Sequence, residues 1–98
     1  MKLVAVTACP TGIAHTYMAA EQLEKTAKKR GHTIKVETQG SMGIENELSQ
    51  EEIDAADVAI FAVGIPVRNG ERFAKIKIVE MSVQDAIKNP DSVFSKLG

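Results

Sequence analysis

The sequence predicts an α/β fold, namely a small three-layer α/β/α, Rossmann-like arrangement around a four-stranded parallel sheet. Two continuous apolar runs, at residues 3–6 and 58–63, are typical of strands that are covered on both faces. A long amphipathic helical pattern lies between them, and strand and helix patterns alternate along the 98 residues. Such alternation favours parallel strands joined by right-handed helical crossovers.

The first strand is predicted at residues 2–7 and the first helix at about 14–30. Ala20, Leu23 and Ala27 recur at helical spacing, and Gly31 provides a stop after a basic last turn. A second strand is predicted at 33–38, nearer the sheet edge, because Ile34 and Val36 alternate with Lys35 and Glu37. Residues 39–43, with two glycines, are predicted to form a loop.

The second half repeats the alternation. Ser49 and Glu52 form a capping box that predicts a helix over 50–56, before the third strand at 58–63. A loop over 64–70, a helical turn over 71–74 and a fourth strand over 76–80 follow. The last predicted elements are a helix over 83–88, capped by Ser82, and one over 91–97, opened by Pro90.

Because the first and third strands are the most apolar, they are predicted to be central, which gives the strand order 2-1-3-4. Ligands of open parallel sheets bind where the connections diverge, just beyond the carboxyl ends of the strands. Here that position lies between the first and third strands, and Cys9 lies there.

Composition limits the possible functions. A length of 98 residues predicts a single domain spanning 1–98, and a net charge of −1 gives no electrostatic reason to expect a nucleic acid partner. No run approaches the ~20 apolar residues of a membrane span, so no direct membrane insertion is expected. One cysteine cannot form an internal disulfide, which fits a reducing cytoplasm. One cysteine and two distant histidines do not form a zinc set, and we expect neither metal nor cofactor.

Cys9 is predicted to lie where a strand ends and a helix is about to begin. Backbone N–H groups at a helix start have no partner within the helix, and the helix dipole is positive there, so a thiolate or a phosphate is favoured. The N–H groups of the following loop can converge on one anion. The predicted phosphate-binding residues are Thr11, Gly12, Ile13, Ala14, His15 and Thr16.

The spacing Cys-x5-His-Thr is similar to the Cys-x5-Arg-Ser/Thr loop of the low-molecular-weight tyrosine phosphatases. His15 stands at the arginine position and cannot form the bidentate clamp on a phosphoryl group. The loop therefore suits a phosphoryl carrier better than a phosphatase.

Residues 9–16, the following 18–20 with Leu23, and the later 36–41 with Gly43 resemble the fructose family of phosphotransferase-system (PTS) enzyme IIB components. The resemblance covers nearly the whole chain. It implies a phosphotransferase with a phosphocysteine intermediate. Cys9 would accept phosphate from a phosphohistidine of a IIA component and pass it to a sugar, fructose or fructose-like, bound by the membrane IIC component.

The resemblance also implies that residues 11–16 form the phosphate loop, and that His15 is a second catalytic residue, which hydrogen-bonds the phosphate or the thiolate. We expect a cytoplasmic protein that docks at the inner face of the membrane through IIC. The expected rim of the site consists of Gln39, Ser41, Met18, Met42, Ile65 and Val67.

Three other functions stay open at this point. The first is a cysteine-loop phosphatase, against which His15 counts. The second is a redox or arsenate-reducing thiol protein, which would need an external thiol because no second cysteine is present. The third is a binding module without enzymatic activity. Arg68 and Arg72 could face an acidic partner or water.

Overall fold

A computed structural model describes residues 1–9, 13–40 and 43–97, with Ile13 described by its backbone alone. Its secondary structure follows the predicted alternation. The elements are β1 (Lys2–Ala8), α1 (Ile13–Lys29), β2 (Thr33–Gly40), β3 (Gly43–Glu45), α2 (Gln50–Ala55), β4 (Val58–Val63), a 3-10 turn (Gly70–Phe73), β5 (Lys77–Met81), α3 (Val83–Lys88) and α4 (Asp91–Ser95).

The sheet has the spatial order β3-β2-β1-β4-β5. Strands β2, β1, β4 and β5 are mutually parallel, so the α/β class and the predicted order of the parallel strands are confirmed. The prediction of only four strands is wrong, because β3 pairs antiparallel with β2 and makes the sheet mixed.

The fifth strand comes from the segment predicted as a two-glycine loop. β2 continues to Gly40, and the chain then returns along it so that Gly40 pairs with Gly43 and Thr38 with Glu45. Gly43 has a φ of 99°, a backbone conformation that favours glycine. A three-residue strand is too short to show a period of two in the sequence.

Two apolar clusters lie on opposite faces of the sheet and define three layers. Leu3 and Ala5 of β1 belong to the cluster under α1, α3 and α4, whereas Val4 and Val6 belong to the cluster under α2 and the 3-10 turn. These residues are almost completely buried. β1 is therefore covered on both faces, as its continuous apolar run predicts.

The helix ends follow the capping signals in the sequence. α1 ends with Gly31 at a φ of 80°, and the N–H of His32 donates to the carbonyl of Ala27 at 2.8 Å, which is the Schellman pattern. Ser49 and Glu52 form the predicted capping box at α2, and Ser82 caps α3. Within residues 1–9, 13–40 and 43–97, no helix combines the length and apolar character needed to cross a bilayer.

Candidate functional site

Cys9 immediately follows β1, at the carboxyl edge of the sheet. Ala8 pairs with Gln39 of β2 on one side and with Val63 of β4 on the other. The N–H of Gly64 donates to the carbonyl of Ala8 at 2.8 Å, which extends this pairing by one residue. Cys9 therefore follows a strand end that is held from both sides, at the predicted topological switch point.

The start of α1 lies beside Cys9. The Sγ of Cys9 is 4.0 Å from Nδ1 of His15, whose side chain is exposed on the first turn of α1. Thr7 Oγ1 donates to the backbone oxygen of Thr16 at 3.1 Å, which fastens the strand end to the helix start. The first turn of α1 carries no acidic residue, so no carboxylate there competes for the positive end of the helix dipole.

The predicted phosphate-binding residues fall into two groups. Thr11 and Gly12 lie outside the described residues, while α1 begins at Ile13 and continues through Ala14 and His15. Thr16 is fully buried, and its Oγ1 has no hydrogen-bond partner in the part of the chain that the structure describes. A role of these residues in binding phosphate stays a prediction.

Cys9 is half-buried and opens onto a cavity of about 510 Å³. α1 contributes His15 and Met18 to its wall, and the end of β4 contributes Val63 and Gly64. The rest of the wall comes from α3 and its N-cap, which contribute Ser82, Val83, Gln84, Ile87 and Lys88. Sequence reasoning missed this wall because the cap at Ser82 predicts a helix but does not indicate what the helix packs against.

The predicted rim residues occupy different places. Met18 is 47% exposed and lines the cavity, but Gln39, Ile65 and Val67 are not among the described residues that line it. Val67 packs against the cluster on the opposite face of the sheet. Ser41 and Met42 lie outside the described residues.

A buried ion pair lies on the sheet face under α2. Glu37 is 0% exposed, and the guanidinium of Arg72 donates to both of its carboxylate oxygens at 2.8 and 2.9 Å. The N–H of Leu48 donates to the same carboxylate at 2.8 Å. Burial alone would raise the pKa of Glu37, but the hydrogen bonds from Arg72, Leu48 and Gln39 outweigh it, so the pKa lies below its usual range.

This ion pair continues into the loop that follows β4. Gln39 donates to Glu37 at 2.6 Å and to the backbone oxygen of Arg68 at 3.1 Å, and it accepts from the backbone N–H of Arg68 at 2.8 Å. The buried amide of Gln39 therefore holds this loop in place. The alternation of β2 predicts that Glu37 and Val36 lie on different faces of the sheet. The sequence gives no sign that Arg72 covers Glu37.

Two further side-chain contacts join neighbouring elements of the fold. The hydroxyl of Tyr17 in α1 donates to the carboxylate of Glu45 in β3, and this hydrogen bond raises the pKa of Tyr17. Lys35 of β2 pairs with Glu52 of α2 at 2.8 Å. This contact, with the N–H of Ser49, lowers the pKa of Glu52 to about 2.

Comparison with known proteins shows to which class this fold and site belong. Residues 4–96 match a family described as PTS system, Lactose/Cellobiose specific IIB subunit. The chain is 52% identical over 96 residues to the PTS system fructose-like EIIB component 2 of Escherichia coli K12, covering 98% of this chain and 91% of that one. It is 54% identical over 99 residues to a fructose-like PTS system EIIBC component of the same organism, covering 99% of this chain but 20% of that one.

A solved structure of a related domain supports the same family assignment. A crystal structure of a domain from a fructose-specific IIABC component of Borrelia burgdorferi superposes with a TM-score of 0.91 at 48% identity, covering 97% of this chain and 90% of that one. The α/β fold, with Cys9 at the carboxyl end of β1, is thus that of a PTS IIB domain, a class of phosphotransferase domain. The chain belongs to the PTS IIB family, among its fructose-like members. Membership implies phosphoryl transfer in sugar uptake, together with IIA and IIC partners.

Proposed function

We propose that Cys9 is the phosphoryl carrier of a fructose-like sugar phosphotransferase system. The observation that carries this proposal is the position of the half-buried thiol at the carboxyl edge of β1, beside the start of α1 and open to a cavity. Cys9 is the single cysteine of the sequence.

The reaction consists of two displacements at phosphorus. The thiolate of Cys9 attacks the phosphorus of a phosphohistidine on IIA; the S–P bond forms as the N–P bond breaks, and the leaving histidine nitrogen keeps the electron pair. A sugar hydroxyl held by IIC then attacks the same phosphorus and releases its proton to the solvent. The S–P bond breaks, and Cys9 returns to the thiolate.

The surroundings of Cys9 favour both displacements through position and charge. Phosphoryl transfer needs little covalent chemistry from the protein, so alignment and stabilisation of charge account for most of the catalysis. The dipole of the 17-residue α1 favours negative charge at its start. Nδ1 of His15 lies 4.0 Å from the sulfur. In the tautomer protonated at that nitrogen, His15 donates to the thiolate or to the phosphoryl oxygens.

Access to Cys9 fits a carrier that meets two partners in turn. The thiol is half-buried rather than enclosed, and the exposed Met18 beside it offers an apolar contact to either partner. The name of the EIIBC relative combines IIB and IIC, which supports a membrane IIC acceptor. The protein would act in the cytoplasm and dock at the inner membrane face through IIC, with fructose or a fructose-like sugar as acceptor.

The test is phosphorylation by phosphoenolpyruvate, the general phosphotransferase proteins and a cognate IIA, followed by intact-mass and peptide mass spectrometry. We expect one phosphoryl group on Cys9 of the wild type and none on the Cys9→Ser variant. Lys96→Met, which alters an exposed lysine, serves as the matched control and should accept phosphate normally. A Cys9→Ser chain that accepts phosphate as the wild type does would exclude the proposal.

A further inference from the structure

The part of the cavity wall that α3 forms carries a lysine. Lys88 is the last residue of α3, and it lines the same cavity of about 510 Å³ as Cys9 and His15. Among the described residues that line this cavity, Lys88 is the one with a permanent charge. The nucleophile and a cation therefore face one shared space.

The ammonium group of Lys88 is available to a ligand. In the part of the chain that the structure describes, Lys25, Arg30, Lys35 and Arg72 form ion pairs with carboxylates. Lys88 forms none among these residues, although Asp85 lies three positions before it in the same helix. Its side chain is exposed, and its place in the last turn of α3 suits the helix dipole without tying the ammonium group to a carboxylate.

The negative charge of a phosphorylated cysteine would be stabilised by such a cation. A phosphorylated side chain carries roughly −1.5 to −2 charge near neutral pH. The loop after Cys9 has His15 where an arginine clamp would stand, so it supplies no permanent cation at that position. A flexible lysine brings a point charge to phosphoryl oxygens from a distance that a short side chain cannot span.

We propose that Lys88 contacts the phosphoryl group on Cys9 and stabilises the phosphorylated form of the chain. This inference rests on the proposed function and adds a residue to it. An exposed ammonium stabilises an anion only modestly, whereas a buried bidentate arginine binds it strongly. The weaker contact suits a carrier, because the phosphoryl group must leave again for the sugar.

The test is the equilibrium of phosphoryl exchange between IIA and this chain, measured from both directions by mass spectrometry. We expect Lys88→Met to shift it towards phosphorylated IIA by about two- to fivefold, the range of an ion pair at an exposed site. Lys88→Arg, which keeps the positive charge, should retain most of the wild-type value. Lys77→Met, at an exposed lysine of β5, is the matched control and should leave the equilibrium unchanged.

The equilibrium separates contact with the phosphoryl group from docking. A lysine that only helps IIA to bind changes the KM for IIA and leaves the equilibrium constant unaltered, and that result would overturn the inference. A wild-type chain that acquires no phosphate on Cys9 overturns the inference together with the proposed function. A phosphorylated wild type with an unshifted Lys88→Met equilibrium overturns the inference alone.

Discussion

Replacement of Arg72 by methionine should destabilise the protein more than any exposed arginine replacement. Arg72→Met removes the partner of a carboxylate that is 0% exposed, and breaking a buried ion pair from one side typically costs about 3–5 kcal/mol. Glu37 keeps its hydrogen bonds from the Leu48 N–H and Gln39, so the lower end is expected. A loss of about 3 kcal/mol would lower Tm by roughly 12–24 °C in a domain of this size.

Urea unfolding followed by circular dichroism measures this loss, with Arg68→Met as the matched control. The side chain of Arg68 is exposed, and its hydrogen bonds to Gln39 come from its backbone, so its replacement should change the free energy of unfolding by less than about 0.5 kcal/mol. The double change Arg72→Met with Glu37→Gln should recover part of the loss, since it removes the buried charge. Equal losses of unfolding free energy in Arg72→Met and Arg68→Met would refute the reasoning.

The Glu37–Arg72 pair should also make the stability of the protein depend on pH. The folded-state pKa of Glu37 lies below its usual value, so the pair adds stability above the ordinary carboxylate pKa and loses it as pH falls through the folded pKa. In Arg72→Met, burial without the guanidinium raises the pKa of Glu37, and the carboxyl group is protonated more readily. The stability difference between wild type and variant should therefore narrow as pH falls below about 5.

Three further predictions concern the site and two local contacts. His15→Asn should slow phosphorylation of Cys9 by roughly ten- to a hundredfold in rapid-quench assays, the value of a hydrogen bond to a charged group; an unchanged rate would remove His15 from the mechanism. Lys35 lowers the pKa of Glu52 to about 2, so the Lys35–Glu52 pair contributes its full stability above the ordinary carboxylate pKa and loses it as pH falls towards 2. Glu52→Gln should therefore weaken the dependence of the unfolding free energy on pH over that range. An unchanged pH dependence would contradict this. Gly31→Ala should lower the free energy of unfolding in urea by about 1 kcal/mol, because the φ of Gly31 is 80°. Gly70→Ala, which also has free space around its Cβ position, should lower it by less. Equal losses would refute the conformational argument.

Sequence could predict the elements whose signal is local or strongly periodic. The apolar runs of β1 and β4 specify covered central strands, and the capping box at Ser49 marks the start of α2. The place of Cys9 after β1 follows from the same reasoning, since a parallel strand followed by a helix leaves one connecting loop at the carboxyl edge.

The parts that escaped prediction depend on contacts between distant segments. The Glu37–Arg72 pair joins residues 35 positions apart, and neither residue carries a local sign of the other. β3 is stabilised by pairing with β2 rather than by a pattern of its own three residues. Likewise, α3 forms a wall of the cavity only because its apolar face packs against the cluster under α1.

The cavity joins segments that lie far apart in the sequence. Its thiol lies at position 9, while the helix that closes it begins at position 83. During synthesis on the ribosome, Cys9 therefore emerges long before α3 exists. The cavity is complete only after these late segments have docked, so a chain still being synthesised would expose Cys9 without the wall that α3 forms and without Lys88.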